Sequence, residues 1–147
     1  RAKMPSKSGT WPALWMLGSN YQSIDWPACG EADILEHTGN NINRVQATVH
    51  YPQRHAGNGD TAITNDYNDV TTNFHVYSVV WTPQALTFYV DNEPYHVVGN
   101  SCALPFNWNF YIILNVAMGG DMGGEIASDF NFDTMEVDYV RVYQEED

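Results

Sequence analysis

Three carboxylates fall within six residues of one strand-like run, Gly30-Glu31-Ala32-Asp33-Ile34-Leu35-Glu36-His37. Side chains on a strand alternate between faces, so Glu31 and Asp33 share one. Glu36 stands five residues from Glu31 and on a regular strand would point the other way, into the core. An unpaired carboxylate there is costly or gives up its charge. One extra residue at Ile34-Leu35, a β-bulge, resets the alternation and returns Glu36 to the acidic face. Three acids in such a row can do acid–base and nucleophilic work. The outer two can reach the ~5–5.5 Å spacing of a retaining glycosidase pair, one ionised and one protonated, while the middle acid perturbs its neighbours by like-charge repulsion. The same residues also read as a solvated acidic edge strand, or as an oxygen site for Ca²⁺ or Mg²⁺. The apolar Ala32, Ile34 and Leu35 between them call for a covered opposite face, and so for acids that serve a site.

Upstream lies Gly9-Thr10-Trp11-Pro12-Ala13-Leu14-Trp15-Met16-Leu17-Gly18. Trp11 and Trp15 are an even number of residues apart and share a face of an extended strand. Indole faces beside acids suit the flat C–H patches of sugar rings; two core tryptophans are the plainer alternative.

The elements that must hold these residues are strands. No window of a dozen residues carries apolar positions at helical spacing. Short runs rich in β-branched and aromatic residues recur instead, cut by Gly, Pro, Asn and Asp. They predict strands over Ala13–Leu17, Ala32–His37, Val45–Tyr51, Phe74–Trp81, Leu86–Val90, Tyr95–Val98, Phe110–Ala117 and Met135–Tyr143. Tyr111-Ile112-Ile113-Leu114 is apolar on both faces, as in a strand sandwiched in the core, whereas Met135–Tyr143 mixes polar and apolar residues. Asp91-Asn92-Glu93 reads as the turn of a hairpin. The longest connection, Pro52–Asn73, is poor in apolar residues and is expected to wall a cleft. So many short strands make an antiparallel sandwich or barrel.

At 147 residues the chain is read as one catalytic domain spanning 1–147. Hydrophobic residues at 44% against 16% charged can build a core, which excludes a disordered chain. A net charge of −12 argues against nucleic acid and anionic membranes as partners. No apolar run approaches the ~18 residues of a membrane span. Arg1-Ala2-Lys3-Met4-Pro5 reads as the tail of a strand already under way, with neither a secretory signal nor an initiator Met. Cys29 and Cys102 are read as two reduced core cysteines.

Trp11-Pro12-Ala13-Leu14-Trp15-Met16-Leu17, followed by Trp26-Pro27-Ala28-Cys29-Gly30-Glu31-Ala32-Asp33-Ile34-Leu35-Glu36, resembles glycoside hydrolase family 16, and within it the laminarinase-like branch, whose acidic motif is the bulged Glu-x-Asp-x-x-Glu. Weaker matches follow in family order: Trp81-Thr82-Pro83 with Phe88-Tyr89-Val90-Asp91, then Tyr111–Gly120, then Val137–Tyr143. The resemblance implies a β-jelly roll with a substrate cleft on its concave sheet, and retaining endo-hydrolysis of β-1,3-glucan with no cofactor for catalysis. It assigns Glu31 as nucleophile, Asp33 as assisting carboxylate and Glu36 as acid/base, with Trp11 and Trp15 lining subsites. His50 matches a cleft histidine, and Gln46, Thr48 and His50 share a polar face opposite Val45, Ala47, Val49 and Tyr51. A structural calcium near Asp138 and an extracellular location are further implications. Where this chain has Ala32, family members usually have a β-branched residue. The family domain also begins well upstream of Arg1, so a truncated chain, a nicked enzyme whose companion chain supplies the N-terminal strands, or a rearranged enzyme is expected; standing alone, the chain would leave an apolar face and strand edges open. Rival readings are mixed-linkage glucan, agar or carrageenan as substrate, and a non-catalytic sandwich lectin. Trp108 is read as core or rim packing, with a sugar platform as the alternative.

Overall fold

A computed structural model describes residues 1–144. In chain order its strands are β1 (Ala2–Lys3), β2 (Thr10–Gly18), β3 (Glu31–Thr38), β4 (Asn41–His50), β5 (Asp60–Thr64), β6 (Tyr77–Trp81), β7 (Ala85–Val90), β8 (Glu93–Gly99), β9 (Phe110–Met118) and β10 (Glu136–Val137). Helix is confined to a 3-10 turn at Ala56–Asn58 and one short turn, Gly120–Gly123. The fold is an antiparallel β-sandwich. One sheet runs β5-β4-β3-β2-β9, the second β6-β7-β8, and β1 pairs with β10.

Strand alternation builds the core between the two larger sheets. Along β7, Leu86, Phe88 and Val90 are fully buried while the residues between them are partly exposed. Opposite them, β4 contributes Val45, Ala47 and Val49, and β3 contributes Ala32 and Leu35, all without accessible surface. Two apolar groups result. Ala32, Ala47, Val49, Leu86, Phe88 and Phe106 anchor one; Met4, Leu35, Val45, Val70 and Val90 anchor the other. Ile34 packs against both. The β7–β8 hairpin turns on Asp91 and Asn92 at φ 49° and 71°, a pair of left-handed residues that matches the strand twist.

The central strand is β3, and it carries the bulge. On one side Trp15 pairs with Asp33 and Ala13 with Glu36. On the other, Thr48 pairs with Asp33 and Gln46 with Glu36. Each neighbour advances two residues where β3 advances three. The extra residue lies at Ile34-Leu35, as the charge argument requires.

Four strand and loop expectations are corrected. Pro52–Asn73 is not an uninterrupted loop: it contains the 3-10 turn and β5, which pairs with β4 from Val45↔Thr64 to Val49↔Asp60. Met135–Tyr143 pairs only at Glu136 and Val137. The stretch Phe74–Val76 precedes β6 rather than forming part of it; Ala2 bridges His75 there. Last, Tyr111–Leu114 is not sandwiched. Strand β9 is a sheet edge, and Ile112, Leu114, Val116 and Met118 on its core side remain 37–43% exposed, because the three-stranded sheet does not reach over them. That open stripe and edge are the exposure expected of this chain by itself. The cysteines are both free; Cys29 is buried and Cys102 exposed, so only the first is a core residue.

Leu35 locks the bulge by filling the core beneath it. Leu35→Ala should lower unfolding free energy by about 2–5 kcal/mol in a urea titration. An effect within about 0.5 kcal/mol, the size of a surface change, would show that the bulge is not held from below.

Candidate active site

Positions that pair across a sheet present their side chains on the same side. Leu17↔Glu31, Trp15↔Asp33 and Ala13↔Glu36 on one flank, with Glu31↔His50, Asp33↔Thr48 and Glu36↔Gln46 on the other, put the three acids on one face. Trp11, Ala13, Trp15, Glu31, Asp33, Glu36, Asn115 and Ala117 line a single cavity of about 250 Å³ on it. Gly30, at φ +82°, turns the chain into β3; a Cβ there would meet Phe110 and Pro105 at 2.9 Å, so a side chain would displace the strand that opens the acidic row.

The two ends of the row are held differently. Glu36, 8% exposed, receives three hydrogen bonds: from Trp11 Nε1 at 3.2 Å, Gln46 Nε2 at 2.9 Å and Thr48 Oγ1 at 3.2 Å. Arg44 in turn donates to Gln46 Oε1, which fixes the amide orientation. Glu31 accepts from Trp26 Nε1 at 2.6 Å through Oε2. Its Oε1 stands 4.0 Å from His50 Nε2, and Asp33 Oδ2 stands 3.3 Å from the same nitrogen. Trp15 donates to Asn115 Oδ1 at 2.8 Å, so its ring is braced against β9.

Burial raises the proton affinity of Glu31 and Asp33. Glu31 is pushed up to about 7, first by desolvation and then by the charge of Asp33, with His50 and Trp26 opposing. Asp33 is held well above the ordinary carboxylate range by desolvation and by the charge of Glu36. A hydrogen bond between Glu31 and Asp33 enters both shifts, so the two titrate as a dyad.

The site brings together every residue expected of the cleft: Glu31, Asp33, Glu36, Trp11, Trp15 and His50. His50 sits against the acids rather than apart from them, under the Trp26 ring at 5.7 Å. Four participants carried no role in the sequence reading. Asn115, Gln46 and Thr48 could have been found from strand parity, since all three lie on the acidic face. Trp26 had no such signal, because only the turn of Trp26–Gly30 brings its N–H to Glu31. Trp108 is not packed: it is 62% exposed and lines a separate shallow hollow with Pro52, Gln53 and Leu104, because its loop projects beyond the core. Asp138 lies far along the chain from the acids and its Oδ2 accepts from Arg1 Nη1 at 2.6 Å. Among the described residues, Glu31, Asp33 and His50 are the one group of three such side chains with donor atoms close enough to share an ion.

The sequence profile described as glycosyl hydrolases family 16 matches residues 1–141. The chain belongs to that family. It is 39% identical over 99% of its length to glucan endo-1,3-beta-glucosidase A1 of Niallia circulans, covering 24% of that protein. It is 37% identical over 98% of its length to a beta-glucanase of Rhodothermus marinus, covering 55% of it. Among solved structures, the endo-beta-1,3-glucanase from Pyrococcus furiosus superposes with a TM-score of 0.84 at 37% identity over 92% of this chain and 55% of that one. This family 16 chain thus spans about half the length or less of these relatives, and its sandwich is the jelly-roll type the resemblance implied.

Glu31 binds its proton more tightly folded than the 4.5 of a free side chain. Its contribution to stability is therefore greatest below that value and is lost as pH rises through about 7, where the buried group must ionise. Glu31→Gln removes the ionisation. Its unfolding free energy in a urea titration should exceed the parent's at pH 8, by up to about 2–3 kcal/mol, and converge with it near pH 4. Equal stability at both pH values would show that Glu31 is not strained by its charge.

Proposed function

We propose that this family 16 chain is a retaining endo-glycoside hydrolase acting on β-1,3-glucan. The observation that carries the reading is the bulge registered against both neighbouring strands, which turns three carboxylates into one tryptophan-lined trough. Its relatives named as glucan endo-1,3-beta-glucosidase and endo-beta-1,3-glucanase support the linkage.

In this reading Glu31 attacks the anomeric carbon through one carboxylate oxygen, and Glu36 gives its proton to the departing glycosidic oxygen. The glycosyl-enzyme ester is then cleaved by a water that Glu36 deprotonates, which restores both groups. Trp26 holds the second oxygen of Glu31 and orients the attacking one. Asp33 raises the proton affinity of Glu31 through its charge and their hydrogen bond, so Glu31 attacks once that proton has left. The steps use carboxyl groups alone and call for no cofactor. Trp11 and Trp15 offer ring faces along the trough for neighbouring glucose units. The net charge of −12 suits a neutral polymer over a sulfated one, which few Lys or Arg could meet. A polymer cannot cross a membrane, which supports action outside the cell; among the described residues no helix is long and apolar enough to cross one. A companion β-segment covers the core-side stripe of β9 in the same reading, supported by four adjoining apolar side chains left open there.

Glu31→Ser should abolish reducing-sugar release from laminarin while oligosaccharide binding persists. Hydrolysis at the parental rate would end the assignment, and binding by the parent without release would make it a lectin. Proton NMR of the first products should show the β-anomer retained; initial inversion would contradict the double displacement.

The dyad sets the acid limb of the rate profile. For the free enzyme, kcat/KM should rise with pH through about 7, because the nucleophile must be ionised. Asp33→Asn removes the neighbouring charge that helps hold the proton on Glu31, so the limb should move to lower pH. A limb that stays in place or moves up would mean that Asp33 does not act on Glu31 through its charge.

A further inference from the structure

We propose that the nucleophile end of the trough is also a transition-metal site, in which Glu31, Asp33 and His50 together take one divalent cation of the zinc class and thereby shut the enzyme off. The inhibitory half of this proposal rests on the hydrolytic reading above; the binding half does not.

Geometry makes the first case. The three donor atoms all lie within 4.8 Å of one another, with Asp33 Oδ2 at 3.3 Å and Glu31 Oε1 at 4.0 Å from His50 Nε2. Ligands ~2.0–2.2 Å from a tetrahedral zinc stand roughly 3.3–3.6 Å apart. A small rotation of the Glu31 carboxylate closes the difference. The backbone needs no movement, because Glu31 and His50 are paired across β3 and β4 and Asp33 is next along the same face. Water would complete the shell at the fourth position.

Unmet bonding makes the second. Asp33 is 3% exposed, and its Oδ2 has no hydrogen-bond partner, a buried acceptor left short. This is the oxygen aimed at His50. On Glu31, Trp26 occupies Oε2 and leaves Oε1 facing the same point. No fixed cation faces the row: among the described residues no Lys or Arg forms an ion pair with Glu31, Asp33 or Glu36, and the first two pair with His50. A dication at that point would meet the orphaned oxygen and the repulsion of two carboxylates at once.

Donor chemistry then selects the ion. One imidazole with two carboxylates suits Zn²⁺, Co²⁺, Ni²⁺ or Cu²⁺, whereas Mg²⁺ and Ca²⁺ favour all-oxygen shells and more ligands. Once bound, the metal holds Glu31 Oε1, the lone pair that must attack the sugar. Metal and substrate are therefore mutually exclusive.

The test is calorimetric titration of the chelator-treated full chain with Zn²⁺ at pH 7.5, in parallel with Co²⁺ absorption spectra. One equivalent should bind, Co²⁺ should show the visible bands of a four- or five-coordinate ion, and Mg²⁺ and Ca²⁺ should give no heat. His50→Gln and Asp33→Asn should each weaken Zn²⁺ by at least about tenfold, and saturating laminari-oligosaccharide should block it in the parent. Absence of a stoichiometric site, equal affinity in His50→Gln, or equal binding of Mg²⁺ would overturn the proposal. Should His50→Gln fail to fold, Asp33→Asn and the oligosaccharide competition decide it. A chain that binds Zn²⁺ through His50 yet releases no sugar when metal-free would sink the hydrolytic reading and leave the site standing. Hydrolysis without His50-dependent binding would do the reverse.

Discussion

A single extra residue in the central strand puts like charges side by side. The bulge at Ile34-Leu35 is in register with β2 on one side and β4 on the other, so it cannot slip without breaking two ladders. Beneath it Leu35 is fully buried and Ile34 touches both apolar groups of the core. Apolar burial drives these residues inward, and the alternation that follows drives Glu31, Asp33 and Glu36 outward together. Crowding of carboxylates in the trough is thus a by-product of packing on the reverse face of the same strand.

Such crowding is tolerable because the neighbouring strands and turns answer it unequally. Glu36 sits among three donors from β2 and β4. Glu31 and Asp33 have one indole N–H and one imidazole between them, and burial pushes both toward the protonated form. Environments that differ along one row are what let chemically similar acids take different parts. No lysine or arginine pairs with any of the three among the described residues. A fixed cation there would hold every carboxylate ionised and erase that difference.

Cover over the first sheet is uneven. The three-stranded sheet seals the core under β3 and β4, where the acids must be rigid. At the β9 edge the same sheet carries apolar side chains with nothing over them. The relatives to which the chain aligns are longer, and it spans about half or less of each. The acidic row and its donors nonetheless lie wholly within the described residues.

Much of the site was legible because its logic is local. A strand's period of two and the penalty for burying an unpaired charge together place a bulge between Asp33 and Glu36, with no knowledge of any other strand. Parity likewise put Trp11 with Trp15, and Gln46 with Thr48 and His50. The Asp91-Asn92 turn was readable because those residue types tolerate a positive φ. What escaped were relations between distant segments. Tyr111–Leu114 has the composition of a sandwiched strand, but whether anything covers it depends on another sheet's width. The edge strand β5 carries too weak a pattern to show until β4 supplies its ladder. Trp26 meets Glu31, and His50 meets Asp33, only because turns and registers bring them there. Which face a residue takes follows from its own neighbours in the chain. Which partner it finds on that face follows from how separate segments pack, and no local periodicity records that.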